Sequence, residues 1–295
     1  MPLLYQEKHS DLVGIAASAL SPMNIPVQHN HHGLLLNLRS VADVALTQAQ
    51  IETDVEWISV HLTTKAKGIV KLLDRITPAE IFDLLNDYPE ASFSIYTNAG
   101  CLYIPYTRPG RLRVQSWALS IGMADIAVYQ LQVKFTAGLA TVSKVEVIPV
   151  VDHVGERPLG EHIEMRIDTR PWATVSEEPN IDMPHAETGT ALLTTHIGLG
   201  TAPGVIGNVI ARLDDKTIYS DLDAAMNNFN LHRHGFTPNA DYFHVPFDLD
   251  YEALDVGNAK AFVLKLNWTT APVVYRAVHE LICGIVPSNP NVNIK

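Results

Sequence analysis

The sequence predicts an all-β chain, a duplicated β-sandwich with one short helix in each half. Three observations carry that expectation. The first is repetition at a period near half the chain. Val70–Arg108 reads VKLLDR, a helix start at Thr77-Pro78-Ala79-Glu80, IFDLLNDYP, then SFSIYT and YIPYTR. Val209–Tyr251 reads VIARLDDK, YSDLDAAMNNFNL, a break carrying Gly235, Pro238 and Asn239, then YFHVPFDLDY. Leu73-Asp74 recurs as Leu213-Asp214, 140 positions later, and Ile104-Pro105-Tyr106 as Val245-Pro246-Phe247, 141 later. The second is strict alternation of apolar and polar residues, with Gln130–Phe135 echoed by Val263–Trp268. The third is that each helix stands alone between strands, where it can bridge one end of a sandwich but not form a layer. The identities are few, so the shared order of elements carries the duplication.

The totals agree with two packed domains. At 295 residues, 47% hydrophobic and 18% charged, the chain can bury two cores of ordinary size. A formal charge of −11 and the lack of any basic run argue against nucleic-acid binding, which needs clustered Lys and Arg. Two cysteines, Cys101 and Cys283, imply no disulfide framework and read as buried thiols. No stretch approaches the ~20 apolar residues of a membrane-spanning helix. Leu12–Leu20 imitates a signal peptide, but Glu7 and Asp11 offset Lys8 and Gly14 interrupts the apolar run. A cytoplasmic site of synthesis is expected.

Residues 1–32 read as an arm. LVGIAASAL suits two turns of helix, and Pro22, Pro26 and the cluster His29-Asn30-His31-His32 then break regular structure. Imidazoles suit zinc, copper or nickel, but no Cys, Asp or Glu lies near in sequence, so a solvated loop is expected. LLLNLRS, ADVALTQA and EWISVHLTT follow as strands, the last placing His61 on a polar face. GIVKLLDR precedes a helix whose start is written in Thr77, Pro78 and Glu80, a capping box. Ile81, Leu84, Leu85 and Tyr88 share its buried face, and Pro89 ends it. Pro105 inside a strand pattern marks an edge or a bulge. Arg108–Asp125 is a longer connection, partly helical around Trp117–Ile121, and Ile126–Phe135 closes the first half.

KVEVIPVVDHV and HIEMRIDTR open the second half, and Pro171–Gly189 reads as a loop or arm. Gly198–Gly204 lacks the Gly-Lys-Ser/Thr ending of a phosphate loop and is expected to be a turn. A helix over Ser220–Leu231 has Ser220 as its cap, Asp223 three residues later and Gly235 as its stop. His232 and His234 form an HxH pair. It suits either zinc or the negative end of the helix dipole, and its position favours the dipole. Asp248, Asp250 and Asp255 offer oxygens to calcium, yet 248 and 250 share a strand face that alternation alone explains. His279 and Glu280 are adjacent in a strand and point to opposite sides.

No GxSxG, HExxH, CxxC, Walker loop or dinucleotide fingerprint occurs, and no catalytic, cofactor-binding or metal-ligating set is assigned. A protein whose work is its surface, not an enzyme, is the expectation. Two other classes stay open. A carbohydrate-binding or glycan-processing sandwich predicts an aromatic platform or paired carboxylates, for which Trp57, Trp117, Trp172 and Trp268 are dispersed. A cupin-like metal enzyme would rest on His232 and His234.

TPAEIFDLLNDY after a strand, YIPYTRP, LQVKF, IARLDDKTIYSDLDAAMNNFNL, FHVPFDLDY, AFVLKLNW and YRAVHEL together resemble, in element order, the major capsid proteins of corticoviruses. These are icosahedral bacteriophages with an internal membrane. The resemblance covers residues 33–287, and the arm before residue 33 is longer than the family's. It implies a double jelly roll, two eight-stranded sandwiches side by side: arm 1–32, first jelly roll 33–147, second 148–287, tail 288–295. It further implies a homotrimeric, pseudo-hexagonal capsomer tiling an icosahedral virion, assembled in the host cytoplasm. The implied partners are neighbouring capsomers, vertex (penton) and minor capsid proteins, and the internal membrane through the arm, with no nucleic acid and no cofactor. Relatives can bind calcium between subunits, and no acidic cluster here marks such a site.

Overall fold

The computed structural model describes residues 4–65, 68–86, 100–107, 120–171, 177–181, 189–200, 204–233, 238–248 and 253–284. These fall into two compact units, one reaching Glu164 and the other starting at Met165. The first holds β1 (Leu4–Gln6), β2 (Leu20–Ile25), β3 (Asn30–Arg39), α1 (Gln48–Asp54), β4 (Val55–Thr64), β5 (Gly68–Ile76), α2 (Pro78–Asn86), β6 (Cys101–Pro105), β7 (Ile126–Phe135) and β8 (Lys144–Asp152). Strand β9 (His162–Pro171) carries the chain across the division. The second holds β10 (Glu177–Ile181), β11 (Ala191–Gly198), β12 (Val205–Leu213), β13 (Lys216–Asp223), α3 (Ala224–Arg233), β14 (Tyr242–Pro246), β15 (Leu254–Asp255), β16 (Phe262–Thr270) and β17 (Val274–Cys283).

In the first unit the strands run β1-β8-β3-β6 and β2-β7-β4-β5. In the second they run β14-β11-β17, with β15 on β11, and β10-β16-β12-β13. The triplets β8-β3-β6 and β7-β4-β5 thus recur as β17-β11-β14 and β16-β12-β13, and α2 recurs as α3 in the same place. The registered pairings are antiparallel throughout. Each unit's core lies between its two runs. In the second, Leu192, Ile197, Val245 and Leu281 meet Val209, Leu264, Leu266 and Trp268 in one cluster. A fully buried side chain of this size contributes roughly 1.5–3 kcal/mol. Strand β16 shows the cause most plainly, because Phe262, Leu264, Leu266 and Trp268 point inward between outward Lys265 and Asn267.

Two repeat markers, Pro105 with Pro246 and β7 with β16, fall on equivalent strands. Pro105 ends β6 and Pro246 ends β14, and both strands lie at the ends of their runs. There a missing N–H costs no ladder bond. Leu73-Asp74 and Leu213-Asp214 are not equivalent. The former lies in β5, whereas Leu213 ends β12 and Asp214 turns the chain with φ 50°, accepting from the amides of Lys260 and Ala261.

The arm is not an arm over its described length. β1 pairs with β8 and β2 with β7. LVGIAASAL is not helical: Leu12 N–H donates to Val145 O and Ser18 N–H to Thr136 O, at 2.8 and 3.0 Å. Two isolated helical turns are too short to compete with a sheet edge that satisfies the same groups. Strand β8, read from sequence as opening the second half, pairs with β3 in the first. ADVALTQA is not a strand either; Thr47 caps α1 through a capping box with Gln50, so the first unit has two helices. The expected box at α2 is present, Thr77 N–H to Glu80 at 2.8 Å and Glu80 N–H to Thr77 Oγ1 at 3.2 Å. The cap of α3 is Asp223, which accepts from Met226 N–H at 2.7 Å, because Ser220 is held in β13. SFSIYT, Pro89, Trp117, residues 182–188 and the tail lie outside the described residues.

One carboxylate ties helix α1 to the connection that leads into β8. Asp54, the last residue of α1 and 1% exposed, accepts the amides of Ala140, Thr141 and Val142 at 3.0, 2.7 and 2.7 Å. Removing it would leave three donors without their acceptor, the buried Val142 amide among them. Asp54→Ala is expected to destabilise the protein by about 3–5 kcal/mol, and Asp54→Asn by less, in urea unfolding.

Candidate functional site

Strand alternation delivers polar side chains to three places. The first is the start of β3. Asn30, His31 and His32, expected in a solvated loop, are 3%, 1% and 3% exposed. They are buried because β3 lies between β8 and β6 and its first residues belong to that ladder. Asp152, at the end of β8, accepts from Asn30 Nδ2 at 2.9 Å, His32 Nε2 at 2.6 Å and Val154 N–H at 3.0 Å. Burial pushes the His32 pKa down, outweighing the pull of Asp152. Desolvation would raise the Asp152 carboxyl, but its three donors together hold it below the usual range. The pair is therefore a neutral imidazole donating to a carboxylate, sealed from solvent. His31 Nε2 faces Gln28 O at 3.1 Å, and its ring stands edge-on to Tyr129, with centroids 5.1 Å apart. Tyr129 in turn shares a hydroxyl hydrogen bond with Tyr106. Gly33 follows because the Tyr103 ring and hydroxyl pack where a Cβ would stand.

The second is the run β14-β11-β17. Thr195 Oγ1 and His279 Nδ1 are 3.0 Å apart on the face shared with core residue Val245. On the opposite face His196 Nδ1 meets His244 Nδ1 at 2.6 Å, and His196 Nε2 meets Glu280 Oε1 at 3.3 Å. All five side chains are 4% exposed or less. His279 and Glu280 thus point to opposite sides, as adjacent strand residues must. Asp248 is 3% exposed and accepts from Thr194 Oγ1, so it does not occupy the solvent face that alternation predicts. β14 is buried on both faces. Asp255 accepts from Asn258 instead, and Asp250 lies outside the described residues. His232 is exposed in the last turn of α3, and His234 also lies outside.

The third is exposed. His29, in the turn before β3, meets Glu7 after β1 and His153 after β8, with a His153 Nε2 to Glu7 Oε1 distance of 3.1 Å. Beside it Glu146 gathers Lys144, Lys8 and Asn37 at 2.8, 2.6 and 2.8 Å, and those bonds pull its carboxyl down to about 2. Lys8 thereby fastens the chain after β1 to β8.

Of the remaining marked residues, Trp268 is a core side chain and Trp57 lies under the Arg75 guanidinium at 5.6 Å. Trp117 and Trp172 lie outside the described residues. Cys283 is buried. Cys101 is half-buried, and burial pushes its thiol pKa up. Among the described residues no helix is long and apolar enough to cross a membrane. Sequence reading missed both buried networks, although LTTHIG, YFHVP and AVHEL show the signal. Their polar positions hold Thr, His and Glu where a wet strand face carries Lys.

Two units of one strand order, each with its core between paired sheets, make the double jelly roll found in viral major capsid proteins. Solved structures agree on that fold. The chain resembles the major capsid protein P2 of bacteriophage PM2 at 13% identity and TM-score 0.77, over 97% of this chain and 100% of that one. It also resembles the major capsid protein of Sulfolobus turreted icosahedral virus (11%, TM-score 0.64, 97% of each chain). A third likeness is to the PBCV-1 virus capsid (8%, TM-score 0.61, 95% and 92%). No protein-family model matches, and no curated protein matches by sequence.

The buried histidines set the acid response. Desolvation lowers His31 and His279 to about 4, from an ordinary value near 6.5. Between those values the unfolded chain binds more protons than the folded one, so stability falls as pH drops through that window. The loss is expected to reach about 3 kcal/mol for each such histidine by pH 4. Urea unfolding at pH 7, 5 and 4 measures it, and His279→Gln should make the decline shallower.

Proposed function

We propose that this chain is a viral major capsid protein, a self-assembling shell subunit that carries no catalysis. The observation that carries the reading is the likeness to capsid proteins over nearly the whole of both chains, including the duplicated strand order. Two jelly rolls of one strand order, divided after Glu164 rather than at residue 147, give one subunit two similar sides. Three copies then close a pseudo-hexagonal capsomer under threefold symmetry. Such capsomers tile an icosahedral virion over an internal membrane, with vertex (penton) and minor capsid proteins completing the shell.

Exposed apolar side chains support a surface made for contacts. Met226 and Phe229, 54% and 62% exposed, lie three residues apart on α3, and Val41 and Val273 stand out at 91% and 67%. The segment before β3 adds Leu4, Val13 and Leu20, which suit a neighbouring capsomer or the membrane. The burial of the His32–Asp152 and His196–Glu280 pairs fits a structural task, since a substrate would have to reach them through packed strands.

The purified chain is expected to run as a stable trimer of three times 32.5 kDa in light scattering, with hexagonal outlines in negative-stain images. Met226→Glu with Phe229→Glu should weaken association while leaving the circular-dichroism spectrum unchanged. A monomer that hydrolyses glycans would overturn the reading.

A further inference from the structure

We propose that Glu7, His29 and His153 form a binding site for a divalent transition metal ion, zinc being the fitting class, which staples the segment after β1 to the ends of β3 and β8. One oxygen and two ring nitrogens of these residues all lie within 4.8 Å of one another. Metal–ligand bonds of ~2.0–2.2 Å in tetrahedral array separate donors by roughly 3.4 Å. The His153–Glu7 distance of 3.1 Å is already of that size. The imidazoles of His29 and His153 have centroids 4.1 Å apart and a 46° interplanar angle, so small rotations about their side-chain bonds bring the nitrogens onto one ion.

The frame behind each ligand is firm. Glu7 N–H donates to Pro149 O at 3.1 Å, fixing its backbone on β8. His153 follows Asp152, which is itself held by Asn30 and His32, and Tyr5 stands edge-on to the His153 ring at 4.6 Å. His29 adopts φ 64°, a left-handed turn conformation that histidine takes more readily than most residues. That turn sets the His29 ring beside His153 while Asn30, His31 and His32 enter the buried ladder.

The donor set selects the ion. Two imidazoles and one carboxylate, partly exposed and with room for water in the remaining position, suit zinc, cobalt or nickel. Calcium and magnesium take all-oxygen shells and are disfavoured. Without a metal, Glu7 and His153 are a surface ion pair of little consequence. With one, three segments far apart in sequence are joined at the strand β1, whose three residues are all exposed.

The test uses the full chain freed of metal by chelation and titrated with cobalt(II) chloride, whose visible bands report coordination. One equivalent is expected to bind with the intense absorption of four- or five-coordinate cobalt, and zinc chloride should displace it. His153→Phe keeps a ring against Tyr5, His29→Asn tolerates the left-handed backbone, and Glu7→Gln keeps its size. Each should weaken cobalt binding by about tenfold or more while the metal-free unfolding temperature stays that of the parent. Zinc should raise the unfolding temperature of the parent and not of the double variant His29→Asn/His153→Phe. Equal binding by parent and variants, or only the pale spectrum of hydrated cobalt, would overturn the site.

Discussion

A strand hydrogen-bonded on both edges and buried on both faces has no water available to it, and β3 and β11 are two such strands. β3 lies between β8 and β6, β11 between β17 and β14, and nearly every residue of each is buried. Every polar atom they carry must find a partner inside the protein or cost stability. From this constraint come the His32–Asp152 bond and the Thr195–His279 and His196–Glu280 pairs. Such groups look catalytic when met in a sequence. Here their geometry is that of sealed, paired groups holding neighbouring strands in register.

The duplication is one of topology more than of residues. Equivalent strands share order and the placing of a proline at a strand end, and little else. A sandwich asks of each strand only an alternating pattern of the right length, so identities drift while strand order persists. Conformation then differs locally. Asp214 turns the chain between β12 and β13, whereas Asp74 lies within β5 and pairs with Lys71. The low identities to capsid proteins that share the fold express the same freedom.

The segment before β3 is the clearest departure from what local pattern implies. Proline, glycine and a histidine cluster read as irregular chain, yet β1 and β2 complete sheet edges. Pro22 is tolerated because β2 is the last strand of its run. Covering the outer edges of β7 and β8 also removes unpaired ladder groups that would invite unwanted strand pairing. The Glu146 network with Lys8 and Lys144 fixes that cover electrostatically. Helix α1 was open to recognition from Thr47 and Gln50, a capping pair masked by the apolar run around it.

Alternation in β4, β7 and β16, the capping box of α2 and the edge role of Pro105 are all written in neighbouring residues, because each depends on contacts a few positions away. Together they define an all-β chain made of two like halves. Burial of His31, His32 and Asp248, the cap at Asp223, the membership of β8 and the meeting of Glu7, His29 and His153 are of another kind. Each depends on which strand lies alongside, a contact between residues as much as 146 positions apart that no local pattern encodes. Side-chain chemistry was legible before folding; which groups would be dry, and which would meet, was settled by strand pairing.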